Sequence, residues 1–189
     1  MAFPSGVLPG DVLICAGHQV NAGAVMTVSG GGWAMWFGGN GLVAVRYAQA
    51  DDASVTVTGN TGNMRTLLLV YRGGSVAGVW AGQINAGGSL VQCNTLQAMA
   101  GALFVGIGGL EGGVSRVFTY PAGATVRSER TTTMTLVAFD EPAEPSALTG
   151  LHPTRTIPYT GGDVINDRGS SLVIMPTGGS DRGPFKGAF

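Results

Sequence analysis

The sequence predicts an all-β fold, an antiparallel β-sandwich with a jelly-roll-like path. Three observations carry that expectation. Apolar residues recur with a period of two rather than 3.6. Glycine supplies 33 of 189 residues and clusters between the apolar runs. The runs themselves are short and rich in β-branched side chains. Short strands with Gly-rich connections build a sandwich or barrel and leave no helical layer to be formed.

The elements follow in chain order. Residues 12–16 and 24–28 are the first apolar runs. Val43, Val45 and Tyr47 alternate with Ala44, Arg46 and Ala48, which places one apolar row on one face of a strand. Val55 and Val57 alternate with Thr56 and Thr58, and Gly59-Asn60-Thr61-Gly62-Asn63 follows as a turn. Leu67-Leu68-Leu69-Val70-Tyr71 is continuously apolar, as in a strand covered on both faces. Further strands are expected over 76–80, 90–93, 103–107, 117–120, 132–139 and 172–175. Residues 95–100 and 144–149 have helical spacing, each too short to organise a fold.

Comparing the halves suggests a duplication. Gly10-Asp11-Val12-Leu13-Ile14-Cys15 resembles Gly101-Ala102-Leu103-Phe104-Val105-Gly106, Gly32 matches Gly123, and Val43, Val45, Tyr47 land on Met134, Leu136, Ala138, all 91 residues apart (101 − 10 = 91). Thr58-Gly59 lands on Thr149-Gly150, whereas 67–74 and 172–179 match only at 172 − 67 = 105, which places an insertion near 153–167. The expected organisation is one domain over 1–179, with pseudo-repeats at about 8–74 and 101–179, and a flexible C-terminal arm at 180–189.

Composition narrows the function classes. Charged residues are 11% of the chain and the formal net charge is −1. One lysine and nine scattered arginines give no cationic surface to displace counterions from phosphates, so nucleic acid is excluded as a partner. No apolar stretch approaches the ~20 residues needed to span a bilayer, and the first residues lack a signal-peptide pattern. Cys15 and Cys93 lie in apolar runs and read as small buried thiols, bridged only if their strands are neighbours. Folding in a reducing host cytoplasm is the expectation.

Gly10-Asp11-Val12-Leu13-Ile14, Gly32-Trp33, Val45-Arg46-Tyr47-Ala48 and Leu69-Val70-Tyr71-Arg72-Gly73 form a recurring order. This order resembles β-sandwich domains in minor tail and other structural proteins of tailed bacteriophages. The second half echoes it with Pro121-Ala122-Gly123 and Ala138-Phe139. It departs with Ala124 where the tryptophan would stand and Met175-Pro176-Thr177 in place of Tyr-Arg-Gly. The resemblance implies a virion protein that packs with other virion proteins and with copies of itself, and it puts Trp33 in the core. It brings no catalytic residues.

Candidate sites are few. Gly73-Gly74-Ser75-Val76-Ala77 and Gly87-Gly88-Ser89-Leu90-Val91 lack the last glycine of a nucleophile elbow, and His18 and His152 are the only imidazoles. Two cysteines and two histidines without short spacing make no zinc site. Asp163-Val164-Ile165-Asn166-Asp167 offers oxygen ligands but not the order of a calcium loop. Glu111 closes Gly106-Ile107-Gly108-Gly109-Leu110-Glu111 where a phosphate would be repelled. The pairs Asp51-Asp52 and Asp140-Glu141 read as edge loops before they read as a hydrolase. No catalytic residue, metal or cofactor is therefore expected. Among the rings, Trp33 and Phe37 share a strand face and Trp36 points oppositely. Trp36 and Tyr159 are the candidates for contact with a host-surface glycan, and Phe185 and Phe189 for docking on a neighbouring subunit.

Overall fold

The computed structural model describes residues 1–20, 25–38, 40–59, 64–84, 90–111, 116–130, 134–161 and 167–176. All regular structure among them is β. The first sheet holds β1 (Val12–Gln19), β3 (Ala34–Gly38), β4 (Gly41–Tyr47) and β6 (Met64–Tyr71), in the order β3-β4-β1-β6. The second holds β7 (Gly74–Ile84), β10 (Leu103–Glu111), β12 (Thr125–Arg130), β13 (Met134–Pro142) and β16 (Asp167–Pro176), in the order β12-β13-β10-β16-β7. Every pair is antiparallel. Smaller sheets flank these two. β2 (Thr27–Val28) pairs with β5 (Val57–Thr58), and β9 (Leu96–Gln97) with β14 (Leu151–His152). β15 (Arg155–Thr160) lies between β8 (Leu90–Cys93) and β11 (Val117–Phe118).

Alternation along each strand decides what is buried where. Val12, Ile14, Ala16, Val43, Val45, Leu67, Leu69 and Tyr71 of the first sheet meet Leu103, Val105, Ile107, Leu136, Ala138, Leu172 and Ile174 of the second. Such a two-sheet interior is what a period of two builds when both inner faces are apolar. The opposite parity is apolar as well, because both outer faces are covered. Cys15, Leu42 and Ala44 pack under Met26, Val55, Trp33 and Phe3. Phe104, Val137, Phe139 and Val173 pack under Val91, Cys93, Ile157 and Tyr159. This explains why β1 and β10 are buried at every position, as the continuous run of β6 implied for its own strand.

The strand order of the first sheet recurs in the second: β1 corresponds to β10, β3 to β12, β4 to β13 and β6 to β16. Backbone details recur with it. Gly10 and Gly101 both take positive φ, 87° and 81°, as do Gly32 and Gly123 at 80° and 82°, conformations that only glycine adopts without strain. Ala48 N–H donates to Asp11 O and Ala143 N–H to Ala102 O, each at 2.8 Å.

The register corrects the alignment expected for the later strands. Val12 pairs with Tyr47 and with Tyr71, and Leu103 with Pro142 and with Ile174. With β10 placed 91 residues after β1 (103 − 12 = 91), β13 follows β4 by 142 − 47 = 95 and β16 follows β6 by 174 − 71 = 103. Val43 thus corresponds to Ala138, four residues beyond Met134. A shift by an even number keeps the same face inward, which is why the apolar rows matched at the wrong stagger. A jelly-roll-like path would carry the chain repeatedly from sheet to sheet. Here the four strands of the first sheet all precede Arg72, and β7 begins the second.

Residues 95–100 contain β9 and 144–149 contain turns, so the helical spacing there forms no helix. Cys15 and Cys93 are buried free thiols on different sheets. Burial pushes each up to about 12.

Candidate functional site

The adjacent acidic pairs are tied into separate structural contacts. Asp140 and Glu141 are neighbours on β13 and therefore point to opposite faces. Asp140 faces the interior between the sheets, where it accepts from Tyr71 Oη at 2.9 Å and from Arg127 Nε and Nη2 at 2.5 and 3.0 Å. Burial first, and then the Asp140 carboxylate, hold the Tyr71 phenol above its ordinary range. Glu141 faces the other way and meets His152 Nε2 at 3.0 Å and Arg155. Burial opposes its ionisation, but the hydrogen bonds from His152 and Arg155 outweigh that cost and hold its carboxyl below the usual range. His152 Nδ1 accepts from the Glu144 N–H at 3.0 Å, which leaves the proton on Nε2 for Glu141. Phe104 stacks on the imidazole with ring centroids 4.1 Å apart. Asp52 pairs with Arg46, whose guanidinium also lies 4.8 Å over the Trp33 ring. Asp52, Asp140 and Glu141 are thus each occupied by a cation of the scaffold.

The two imidazoles are not brought together. His18 sits between the sheets at the end where β1 finishes and β16 begins, with 1% of its surface exposed. A cavity of about 20 Å³, the size of one water molecule, is lined by His18, Arg168, Gly41, Gly109 and Ser170. Among the described residues, neither ring nitrogen of His18 has a hydrogen-bond partner, nor do Nε and Nη1 of Arg168, a residue only 5% exposed. Burial, and then Arg168, bring the His18 imidazole down to about 4. Asn40 Nδ2 donates to Glu111 Oε2 at 3.3 Å, and Arg116 Nη1 to Thr135 Oγ1 at 3.0 Å nearby along the strands. Two features of the sequence could have marked this end: an Asp-Arg pair heading an otherwise apolar strand, and an imidazole in the apolar phase of β1.

Gly109 makes room for the His18 ring, since a Cβ there would lie 2.6 Å from its Cγ. Gly109→Ala is therefore expected to cost about 1–3 kcal/mol through overpacking, read from urea denaturation. His18→Ala in the same chain should recover part of that loss. Equal costs of Gly109→Ala with and without His18 would refute the contact.

Asp167 begins β16 and is buried, and no other described residue hydrogen-bonds to either of its carboxylate oxygens. Burial, partly offset by its own backbone N–H and by Arg168, pushes its carboxyl up to about 6. The folded state then holds a proton that the unfolded state releases between the ordinary value of 3.8 and about 6. Stability from this group falls as pH rises through that window. Asp167→Asn should thus raise stability at pH 8 by about 1–3 kcal/mol, with the gain fading towards pH 4. A gain independent of pH would contradict the burial. Asp163, Val164, Ile165 and Asn166, the rest of the acidic loop, lie outside the described residues. Among the described residues, no group of three or more His, Cys, Asp or Glu could hold a metal ion, and no helix is long and apolar enough to cross a membrane.

The aromatic candidates separate. Tyr159 is 5% exposed, packed with Phe118 at 5.8 Å between centroids and overlain by Arg116 at 5.9 Å. Its ring presents no free face on which a sugar could stack, because β11, β15 and the outer face of the second sheet enclose it. Trp33 is half-buried on the outer face of the first sheet, with Nε1 donating to Ser29 O at 3.0 Å. Trp36 takes the opposite face, as alternation requires, and packs with Val76 and Val79 against the interior. Its remaining surface lines a groove of about 330 Å³ shared with Tyr47 and β7. Beside it, Met35 and Phe37 are 43% and 49% exposed on the outermost strand of the first sheet. This groove and strand edge are the best candidate contact surface that the side chains offer. Ser75 lies within β7 rather than on an elbow, whereas Ser89, Phe185 and Phe189 lie outside the described residues. No protein-family model, curated protein or solved structure matches the chain.

Proposed function

We propose that this protein is a non-enzymatic structural component of a tailed-bacteriophage particle. It would serve as a β-sandwich that decorates the head, a spike or the tail by packing against other virion proteins and copies of itself. The observation that carries the reading is a division of labour between side chains. Asp52, Asp140 and Glu141 are held by the scaffold cations Arg46, Arg127 and Arg155, while large apolar groups stand exposed along β3. Apolar groups exposed on an outermost strand favour association over catalysis. The shared strand order and its matched glycines support an origin of the two halves by duplication. The reading places the mature protein on the virion, made in the host cytoplasm, with no nucleic acid or membrane among its partners. Mass spectrometry of purified particles tests it: the chain should be present at fixed stoichiometry and should be lost from particles carrying Phe37→Asp. A protein absent from every particle fraction, and monomeric alone, would end the reading.

A second reading, recognition of a host-surface glycan, keeps one specific support. Trp36 and Tyr47 line the same groove, and flat rings stack on the C–H faces of sugars. Glycan-array binding abolished by Trp36→Ala or Tyr47→Ala would favour it. Binding unaffected by both changes, or none at all, would dismiss it.

A further inference from the structure

β3 and β7 close the same side of the sandwich. Trp36 packs with Val76 and Val79 between them, and the groove that opens there is lined from both strands. Each is the last strand of its sheet: among the described residues, β3 pairs only with β4 and β7 only with β16. Residues 75–82 of β7 are half-buried or exposed, whereas β10 in the middle of the sheet is buried at every position.

The two sides of the sandwich differ in what guards them. On the side of β6 and β12, Met1, Ala2 and Pro4 line the gap between the strands. β6 carries Arg65, and β12 carries Arg127, Glu129 and Arg130 together with a bulge. Charges and bulges on an outermost strand keep a further strand from adding to it. β3 is Ala-Met-Trp-Phe-Gly and β7 is Gly-Ser-Val-Ala-Gly-Val-Trp-Ala-Gly-Gln-Ile, with no charge in either. That neutrality selects the partner. A two-fold contact sets the residues around its axis against their own copies, so a charge there would meet its like. A side without charge carries no such penalty. Its size also suits a second copy. The eleven residues of β7 at about 3.3 Å each, across two layers about 20 Å thick with their side chains, give a footprint of roughly 700 Å² per copy. A standard interface buries about 800 Å² per partner.

We propose that two copies of the chain join edge to edge through β7, antiparallel about a two-fold axis normal to the sheets, so that the second sheet continues from one copy into the other. The bulge at Ala77, opposite the step from Val173 to Ile174, and the bond from Val76 N–H to Tyr47 Oη at 3.4 Å limit the pairing to 78–84. Centring that stretch on itself puts Ala81 on the axis, facing the partner's Ala81, and sets Gly78 opposite the partner's Ile84. Main-chain hydrogen bonds form there whatever the side chains. β3 brings the exposed Met35 and Phe37 to the same junction. This contact rests on the virion reading and deepens it, by naming the surface through which copies meet.

Interfaces of this size have dissociation constants at or below the micromolar range, so sedimentation at tens of micromolar should give twice the chain mass. Exchange of amides within 78–84 should slow about tenfold or more between dilute and concentrated protein. Ala81→Cys should form a disulfide between copies on oxidation, because facing residues of an antiparallel pair have Cα atoms about 4.5–5.5 Å apart. Gly78→Cys alone should not. Cys15 and Cys93 are buried and do not compete. Ala81→Lys should return the protein to a monomer, with exchange in β1 and β10 as slow as in the parent to show that the fold is intact. A monomer at every concentration overturns the contact, and so does a dimer in which 78–84 stays fast or Ala81→Cys fails to cross-link. Protection of 78–84 only within particles would put another virion protein on this edge and overturn the contact, with the virion reading left standing. A β7 dimer missing from every particle would keep the contact and count against that reading.

Discussion

Asp140→Ala lowers the unfolding free energy by about 3–5 kcal/mol in urea denaturation at neutral pH. Asp140 is the acceptor that joins three elements: β13, which carries it, β12 through Arg127, and β6 through the Tyr71 hydroxyl. Removing the carboxylate strands a mostly buried guanidinium and a buried phenol together, and an uncompensated charge away from water is the costly part. Tyr71→Phe removes only the neutral donor and leaves the Arg127 pair intact, so it should cost about 1 kcal/mol. The contrast separates the ion pair from the hydrogen bond. A loss below 1 kcal/mol for Asp140→Ala would mean that the two sheets are not joined at this point.

Phe104→Ala is expected to cost about 3–5 kcal/mol. Phe104 is fully buried on the outer face of β10, 6.3 Å from the Phe139 ring and stacked on His152. Its loss opens a cavity under the cover formed by β8 and β15 and takes the stacking partner from an imidazole that is itself wholly buried. The packing there is tight. A Cβ on Gly106 would lie 2.1 Å from the Phe139 ring and 3.0 Å from Cys93 Sγ, so the surrounding side chains have little room to close the hole. Denaturation of Phe104→Ala within 1 kcal/mol of the parent would show that the cover over the second sheet contributes little.

Hydrophobic alternation made the interior legible before any coordinates. The rows Val12-Ile14, Val43-Val45, Leu67-Leu69 and Leu103-Val105 all face the shared core, because residues two apart in a strand share a face. The sheet margins and the outer cover were harder to read. β12 is Thr-Val-Arg-Ser-Glu-Arg, the outermost strand of the second sheet, whose polar residues and bulge between Val126 and Ser128 protect its edge, and those features erase the strand signal. β15 contains Pro158, which reads as a break. It is accommodated because its carbonyl still accepts from Thr119 N–H at 2.9 Å, and the flanking Ile157 and Tyr159 are buried.

The polar end was illegible for a different reason. His18, Arg168 and Glu111 are 57 to 150 residues apart in the chain (168 − 111 = 57; 168 − 18 = 150), and no local pattern links them. Only the facing of β1 against β10 and β16 brings them to one end of the sandwich. Tyr159, a candidate for glycan contact, is enclosed because it lies on β15, a cover strand that the sequence pattern did not reveal.

The central claim is that both halves of the chain close over one interior and cannot be folded separately. Native-state hydrogen exchange in increasing denaturant tests this most directly. The account predicts that amides of β1, at 12–18, and of β10, at 103–110, open together with the same free energy and the same denaturant dependence. If 12–18 lost protection at a concentration where 103–110 remained closed, the halves would be independent units and the shared interior would be wrong.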